Sequence, residues 1–594
     1  MTISVIPPSV FLILSSLLVP ILKGWVKKAY LLVVPILALV SFCNMKFGDY
    51  WQFQFLDMSI TLGRLDKVSN VFGLIFLIIT CLGMLYMVHQ NDDLEFMSAL
   101  FYAGCALGVV LAGDLFSFLV FWEMLTIGAM FLILARRTKE STNSAFRYVM
   151  MHVFGGLLMI SGVILHIHET GSSAFTSIQL DSLSSYLIFF GMGVNCAWPL
   201  FHTWLIDSYP SASYAGVIFL SSFTSKAAIY ALIRSFEGQS LLISIGLIMV
   251  VFPLFYAVIE NDVRRILAYS LVNQLGFMVT AIGVGGPLAI NGAVAHAFCH
   301  ILYKGLLWMS LGSVLYKTGK TKCTELGGLC KTMPLTCAFF LIGALSMSFP
   351  FTNGYVSKSV IMSAVLDGHF YLEWLILLFA AAGVFHVAGV KISFFTFFSR
   401  SPVAKSGEAP GNMILAMGLT SALCLFIGFN HEVLYSILPN ENTLKGVPYN
   451  PYDYSHVIST IQLLFFATLS FFMMLVAGVY PSEKRRINLD FDLVYRKSMK
   501  FFEYLVDKLL NNLNQAGDRV FVKEMPSFLA KSFRNFPGLI SANLLAIVWS
   551  SFGLRDSELA ERKALVKEKI QNGTVSIGFS SLAALVIICI LIGL

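Results

Sequence analysis

Long runs of apolar residues alternate with short polar segments along almost the whole chain. Sixteen runs are long enough to form helices that cross the hydrocarbon core of a bilayer, which takes about 20 residues. The predicted helices, numbered in chain order, are 6–22, 29–45, 70–88, 95–113, 114–135, 146–168, 182–206, 214–236, 241–260, 263–285, 289–316, 333–366, 373–398, 411–431, 457–480 and 575–594. Several contain polar residues, which must face a bundle interior because exposure to lipid is costly. The pattern predicts an all-α polytopic membrane protein with about 14–16 transmembrane helices.

Two of the predicted helices are interrupted at mid-membrane depth. Pro350, Asn353 and Gly354 interrupt the twelfth helix, and Pro199 interrupts the seventh. Such breaks free backbone groups to line a polar cavity. The breaks lie five helices apart, and a unit with an odd number of helices enters the membrane upside down in its second copy. We therefore predict two inverted five-helix repeats, made of helices 4–8 and 9–13.

The chain divides on this basis into six segments. These are helices 1–3 in 1–94, the first repeat in 95–236, the second repeat in 241–398, helices 14–15 in 399–480, a polar segment in 481–572 and the last helix in 573–594. Segment 481–572 mixes charged and apolar residues at helical spacing. That mixture predicts an amphipathic helix on the cytoplasmic membrane surface or against a partner subunit, and a simple linker is the alternative.

Composition agrees with a membrane protein and excludes other classes. Hydrophobic residues make up 57% of the 594 residues and charged residues 12%, whereas a soluble domain carries about 25% charged residues. The ten cysteines form no Cys-x-x-Cys pair. We therefore predict no disulfide framework, no zinc or iron–sulfur site and no cofactor. The net charge of +7 lies in loops between helices, where topology explains it better than nucleic-acid binding.

Basic residues in the short loops indicate the orientation of the bundle. Lysine and arginine residues in the loops after odd-numbered helices outnumber those in the other loops by about three to one. This bias predicts that the N-terminus lies outside and that the odd-numbered loops are cytoplasmic. The first residues, MTISVIPPSVFLILSSLLVPILK, have neither a basic leader nor a small-residue cleavage site, so we predict a retained first helix.

Ionisable residues occur near the middle of four predicted helices. Glu123 lies on the fifth helix, Lys226 on the eighth and Lys358 just beyond the break in the twelfth. The eleventh helix carries His296, His300 and Lys304 at positions i, i+4 and i+8. That spacing places three titratable groups along about 12 Å of one helix face.

These residue types at this depth favour proton transfer over metal binding. A metal site needs converging ligands, and a cationic lysine one turn away opposes a metal. Histidine titrates near pH 6.5, and buried lysines in general exchange protons closer to neutrality than exposed ones, so a row of both forms a proton relay. The alternative is that the histidines only form hydrogen bonds between helices.

A lone charge at the bilayer centre costs several kcal/mol. Glu123 and Lys226 are therefore expected either to pair or to neutralise each other by proton movement. Movement of the carboxylate towards or away from a lysine would make a two-state switch for its proton. A static ion pair that braces two helices is the alternative.

Six segments together resemble a known family. They are DLFSFLVFWEMLTIGAMFLI, PLFHTWLIDSYP, LSSFTSKAAIYALIR, RRILAYSLVNQLGFM, AVAHAFCHILYKGLLWMSLGSV and MPLTCAFFLIGALSMSFPFTNGYVSKS. They resemble the antiporter-like membrane subunits of respiratory complex I and of the Mrp cation/proton antiporters, and among these they are most similar to Mrp D-type subunits. The resemblance covers roughly residues 60–400. It implies a fourteen-helix core with inverted repeats and broken helices 7 and 12, in a bacterial inner membrane.

The resemblance also implies roles for individual residues. Glu123 matches the glutamate of helix 5, Lys226 the lysine of helix 8, and His300 with Lys304 the relay of helix 11. Lys358 matches the charged residue of helix 12 that serves as the exit towards the outside.

One position departs from the family. Many members have a lysine on helix 7, but this chain has Asn195, which cannot carry a proton at neutral pH. Lys226 then takes over as the partner of Glu123, or water fills the gap, or this half-channel is altered. We name as accessory candidates Asn195, His202, Asp207 and Lys391.

The leading functional hypothesis is a secondary transporter subunit, not an enzyme. It would supply the proton path of a multi-subunit Na⁺ or K⁺/H⁺ antiporter, with the bilayer and other membrane subunits as partners. The alternatives are a proton-pumping subunit of a complex I-like or hydrogenase redox complex, and the membrane partner of an inorganic-carbon uptake system. A membrane scaffold without conduction is the alternative from another class.

Overall fold

The computed structural model describes residues 6–55, 58–399, 406–444, 446–481, 490–573, 581 and 584–585. Residues 1–490 form one compact unit and residues 491–594 another. The helices of the first repeat region and before it are α1 Pro8–Leu18, α2 Gly24–Cys43, α3 Lys67–Met87, α4 Asp93–Leu111, α5 Leu115–Leu134, α6 Lys139–Thr170, α7 Leu183–Asn195, α8 Thr203–Ser211, α9 Gly216–Ser222 and α10 Thr224–Ser235. The following helices of this unit are α11 Ser240–Ile259, α12 Val263–Val284, α13 Pro287–Thr318, α14 Pro334–Leu345, α15 Asn353–Asp367, α16 Tyr371–Val384, α17 Gly411–Phe429, α18 His431–Tyr435 and α19 Tyr454–Val476.

The predicted fold class is confirmed. Within the described residues, 12 helices are long and apolar enough to cross a membrane, and α1, α7 and α14 are shorter apolar helices. The chain is therefore an integral multi-pass membrane protein. Its described strands form two small antiparallel pairs: β1 Gly48–Phe55 with β2 Met58–Leu65, and β3 Thr443–Leu444 with β4 Val447–Pro448. The first hairpin lies in a segment for which the sequence predicted no element.

Both predicted helix breaks are present. The seventh predicted helix consists of α7 and α8, separated by residues 196–202, and the twelfth consists of α14 and α15, separated by 346–352. Ala197, Leu200 and Phe351 have positive φ angles within these breaks. Such angles are unfavourable for residues with a Cβ, so the surrounding packing must hold the chain in these turns. The exact limits of the two repeats stay a prediction.

Two further interruptions were not predicted. The eighth predicted helix is divided at Phe223, which separates α9 from α10. The thirteenth continues from α16 into π-helical segments at Phe385–Lys391 and Phe394–Phe398. Neither site contains proline, so the signal that marks the other breaks is missing from these two segments.

The helices that carry the candidate residues lie at the centre of the bundle. The most apolar stretch of 18 residues is fully buried in α12 and in the span formed by α9 and α10, and nearly fully buried in α13. By contrast, α2 and α19 are mostly exposed, as expected for helices that face lipid. The prediction that polar helices occupy the interior therefore holds for these elements.

The unit after residue 490 is also helical. Its elements are α20 Asp492–Tyr504, π-helical segments at Leu505–Leu510 and Asp518–Glu524, α21 Asn511–Gly517, α22 Met525–Ser551 and α23 Asp556–Gly573. This agrees with the helical spacing of segment 481–572, while its placement at the membrane surface stays a prediction. The predicted sixteenth helix, 575–594, lies outside the described residues except at three isolated positions.

Gly354 tests the geometry of the break in the twelfth helix. A Cβ at this position would overlap the backbone carbonyl oxygen of Ser346, which cannot swing away as a side chain would. We expect Gly354→Ala to lower the free energy of unfolding by about 1–3 kcal/mol, measured as thermal unfolding in detergent. Gly411→Ala, where a Cβ meets nothing within 4 Å, is the control and should not destabilise the protein. Equal stability of the two variants would contradict this geometry.

Candidate functional site

A buried face of α13 holds the three residues at i, i+4 and i+8. His296, His300 and Lys304 are each at most 1% exposed. His296 lies between two other helices, with its Nδ1 3.0 Å from Ser357 Oγ on α15 and its Nε2 3.2 Å from Gln274 Oε1 on α12. The hydroxyl of Tyr303 donates to the same Gln274 oxygen at 2.9 Å. The relay helix is thus bound to both of its neighbours through polar side chains.

His300 and Lys304 differ in their surroundings. Neither ring nitrogen of His300 has a hydrogen-bond partner among the described residues. Lys304 Nζ donates to Ser270 Oγ, and Leu267 O lies 3.5 Å away. A buried imidazole with two free nitrogens is open to a transient donor or acceptor such as water or a neighbouring amine.

Lys358 lies at the break of the twelfth predicted helix. Its Nζ donates to Met347 O at 3.0 Å and to Ser348 Oγ at 2.9 Å, both within the interrupted segment. The ammonium also lies 5.1 Å from the centre of the Phe277 ring. A lysine of α15 therefore satisfies a carbonyl that the break leaves without a helical partner.

Lys226 lies just after the Phe223 interruption, near the start of α10, as Lys358 lies near the start of α15. It is fully buried, and its Nζ donates to Ser221 O at 2.6 Å and to Ser225 Oγ at 3.2 Å. Helix α10, which carries Lys226, packs against α7, the helix that ends at the break of the seventh predicted helix.

The three lysine-bearing helices are brought together. Helix α10 packs against α13, and α13 packs against α15. Lys304 lies one helical turn after His300 on α13, while Lys226 and Lys358 come from the two helices packed against it. The three lysines that the sequence singled out are therefore carried by three neighbouring helices.

Glu123 is not paired with Lys226. Its half-buried carboxylate has no hydrogen-bond or ion-pair partner among the described residues, and its Oε1 is fully enclosed. The oxygen lies against Gly156 of α6, where an added Cβ would overlap it. The ion pair that was one of the two expectations for these residues is therefore absent, because both groups are directed to different neighbours.

His152 was not among the site residues predicted from the sequence. This residue lies on α6, is 1% exposed, and places its Nδ1 2.8 Å from Asn195 Oδ1. Its ring packs on Tyr148 at 4.0 Å and contacts Trp204 at 4.5 Å between ring centres. His152 lies one helical turn before Gly156, which contacts Glu123. A histidine in the middle of an apolar helix was the signal that could have identified it.

Tyr148 extends this cluster towards α10. Its hydroxyl lies 3.1 Å from Thr224 Oγ1, and the hydroxyl of Tyr102 lies 2.5 Å from the same atom. Thr224 is the first residue of the helix that carries Lys226. Side chains of α6 and the hydroxyl of Thr224 therefore link the surroundings of Glu123 with the helix that carries Lys226.

The other accessory candidates have local partners. Asp207 accepts a hydrogen bond from Arg147 Nε at 2.6 Å, and His202 Nε2 lies 3.2 Å from Asp490 Oδ2. Lys391 is fully buried in a π-helical segment and donates to Val258 O at 2.7 Å and Glu260 O at 2.8 Å. These contacts place Lys391 at the C-terminal end of α11, where a cation is favoured by the helix dipole.

The arrangement suits the movement of protons along side chains. Its members are amines, imidazoles and a carboxylate, together with hydroxyls and amides that bridge them. Among the described residues, no group of three histidine, cysteine, aspartate or glutamate side chains is placed to hold a metal ion.

Part of the chain matches a known family. Residues 112–383, somewhat less than half of the chain, match the family of the transmembrane region of NADH:quinone oxidoreductases and Mrp antiporters. The match spans both helix breaks and every residue of the predicted relay. This segment of the chain is therefore similar to the transmembrane region of that family.

Individual relatives come from several kinds of complex. Hydrogenase-4 component B of Escherichia coli is 27% identical over 72% of this chain and 72% of its own length. The D-type subunit of the Na⁺/H⁺ antiporter of Alkalihalophilus pseudofirmus is 28% identical over 55% of this chain and 71% of its own. The A-type subunit of that antiporter is 29% identical over 63% of this chain, but the matched part is only 53% of its own length.

The fold is shared with a solved structure of an Mrp complex from Dietzia. One chain of that complex superposes with a TM-score of 0.65 at 18% identity, and the match covers 77% of the chain described here and 99% of the Dietzia chain. The relatives found are consistent with the resemblance stated from the sequence, and they include antiporter subunits of both the A and the D type.

Gly156 tests whether the position of the Glu123 carboxylate matters. We expect Gly156→Ala to displace this flexible side chain with little loss of stability, and to slow proton movement by about tenfold or more. Proton flux in reconstituted vesicles and thermal unfolding are the two measurements. In a Glu123→Ala background the glycine substitution should have no further effect on flux, because its target is gone. Additive losses in the double variant would show that Gly156 acts elsewhere.

Proposed function

We propose that this chain is the proton-translocating subunit of a multi-subunit monovalent cation/proton antiporter. The observation that carries the proposal is His300, which has two unpartnered ring nitrogens among the described residues and lies one turn before Lys304 on a helix that packs against the helices of Lys226 and Lys358. Buried amines and an imidazole that share no fixed counter-charge exchange protons more readily than ion pairs do, because no carboxylate holds any one of them in its charged form.

The proposed path begins in the first repeat at Glu123. A proton passes from there through His152 and its partner Asn195 to Lys226, then to His300 and Lys304, and leaves through Lys358. His152 supplies the titratable group that Asn195 does not. The contacts of Tyr148 with Thr224, and of His296 with Gln274 and Ser357, support the bridging steps of this path.

The proposed coupling to Na⁺ or K⁺ is supported by the names of the relatives. Two of them are the A-type and D-type subunits of a Na⁺/H⁺ antiporter. Their names describe parts of a larger assembly, so we propose that this chain also works with other membrane subunits in the inner membrane of a bacterium.

A second candidate is the proton-pumping module of a redox complex. The relative that supports it is hydrogenase-4 component B, which matches over 491 residues. In that case the same relay would be driven by electron transfer in partner subunits, and added cation would have no effect on the proton gradient.

The central lysines test the proposed path directly. We expect Lys304→Met or Lys226→Met to reduce proton movement by about 100-fold or more, because the isosteric side chain cannot carry a proton. The assay uses everted vesicles that contain the whole complex, with a respiratory proton gradient that collapses on addition of Na⁺ or K⁺. Lys331→Met, at an exposed position between α13 and α14, is the control and should behave as wild type.

The outcomes separate the candidate functions. Cation-dependent collapse that is lost in the central variants supports the antiporter. A wild-type complex that inserts but does not respond to either cation would exclude antiport and favour the redox module. Full transport by the central variants would support a scaffold without conduction.

His152 tests the first half of the path. We expect His152→Gln to keep the hydrogen bond to Asn195 but to lower the transport rate by about 100-fold, since glutamine cannot titrate. Adding Asn195→Lys should restore part of the rate, because a lysine then stands where many members of the family have one. Wild-type flux in the single variant would remove His152 from the path.

A further inference from the structure

A cavity lined by both polar and apolar side chains opens beside Lys358. It has a volume of about 120 Å³ and lies between α15, α16 and α19. Its polar lining includes Ser348, Lys358, Ser359, Ser363, His456 and Thr460. A water molecule takes roughly 30 Å³ in the liquid, so the cavity has room for several.

The cavity runs lengthwise along the three helices. On α15 its lining extends from Tyr355, past Lys358, to Leu366 near the end of the helix, and on α19 from Leu464 back to His456, near the start. The eight residues of helix from Lys358 to Leu366 correspond to about 12 Å. The cavity therefore connects the depth of Lys358 with the membrane surface at which α15 ends and α19 begins. The orientation predicted from the basic loops makes this the outer surface.

Lys358 and His456 stand at opposite ends of this space. Lys358 is 5% exposed and donates to Ser348 Oγ, which is itself part of the lining. His456 is half-buried, and its Nδ1 is shielded from solvent without a hydrogen-bond partner among the described residues. Tyr355 is the remaining titratable group of the described lining, and its hydroxyl is engaged with Pro451 O at 2.8 Å.

We propose that this cavity is the outer proton vestibule of the chain and that His456 is its terminal proton-exchanging residue. The proposal rests on the proposed function, because it extends that path beyond Lys358. An N–H bond of the Lys358 ammonium breaks, and the proton passes through cavity water to His456 Nδ1, where a new N–H bond forms. His456 then releases a proton to external water, and Lys358 is left as a neutral amine.

A substitution at His456 tests the terminal step. In vesicles that contain the whole complex, His456→Gln should lower proton flux by about tenfold or more. The matched control is His431→Gln. His431 is also half-buried with an unpartnered Nδ1 among the described residues, and it lies next to α17 in the segment that leads to α19, but it does not line the cavity. Its flux should stay within about twofold of wild type. Equal losses in both variants, or none at His456, would overturn the assignment.

Chemical rescue tests which side His456 serves. In His456→Ala, an imidazole derivative with a fixed positive charge, which does not cross the membrane, should restore flux several-fold when added to the outer face, because its ring can exchange the proton in place of the missing side chain. The same compound supplied only to the cytoplasmic face should not restore it. Rescue from the cytoplasmic face alone would place the vestibule on the wrong side of the membrane and overturn the proposal.

A labelling experiment tests the cavity independently of transport. Thr460→Cys in the intact complex should react with a small, membrane-impermeant cationic thiol reagent supplied only outside, above the background of the native cysteines. Leu464→Met at the inner end should slow this reaction little, whereas Ser363→Leu should block it by filling the cavity. A cysteine at 460 that stays unreactive would show that the cavity does not open outward.

Failure of the proposed function gives a different pattern. If the wild-type complex moves no protons in response to any cation, the antiport proposal fails, yet the labelling result still decides whether the vestibule exists. If the wild-type complex transports and His456→Gln does too, the antiport proposal stands and only the vestibule assignment is lost.

Discussion

Buried ammonium groups that donate to backbone carbonyls at interrupted helices are the constraint on which this structure depends. A carbonyl without a helical partner is costly at the depth of the hydrocarbon core, where no bulk water satisfies it. Lys226 donates to Ser221 O beside the Phe223 interruption, and Lys358 donates to Met347 O across the break in the twelfth helix. Lys391 does the same at the end of α11. Each lysine is therefore at once part of the fold and a titratable group.

On the proposed path, this double use links proton transfer to the shape of the breaks. If Lys358 gives up its proton there, the neutral amine keeps two N–H donors but loses the charge that strengthens its bonds to Met347 O and Ser348. The interrupted segment is then held less tightly, at the point where the proposed vestibule meets the relay. Loss of the proton from Lys226 would weaken its bond to Ser221 O in the same way. The breaks are therefore the parts of the fold whose hydrogen bonds depend most directly on the protonation of these lysines.

The two halves of the proposed path are built differently. In the second half, hydrogen bonds to Gln274 and Ser357 fix the ring of His296. His300 has no partner among the described residues, so α13 carries one fixed and one unpartnered histidine. In the first, Asn195 stands where many members of the family have a lysine, and His152 approaches it from α6. Asn195 cannot titrate, but a titratable histidine from another helix lies beside it. Spacing along one helix could not reveal this, since residues 152 and 195 meet only through packing.

The sequence by itself determined the class of fold, the two proline-marked breaks and the row of residues on α13, because these follow from the length of apolar runs and from helical periodicity. It also identified Glu123, Lys226 and Lys358, since ionisable residues at mid-depth are conspicuous in apolar helices. Only the tertiary structure decided that Glu123 faces Gly156 and not Lys226, that His152 joins Asn195, and that His456 shares a cavity with Lys358. The physical reason is that each of these neighbours comes from a different helix, and their approach depends on how the helices pack and rotate against one another.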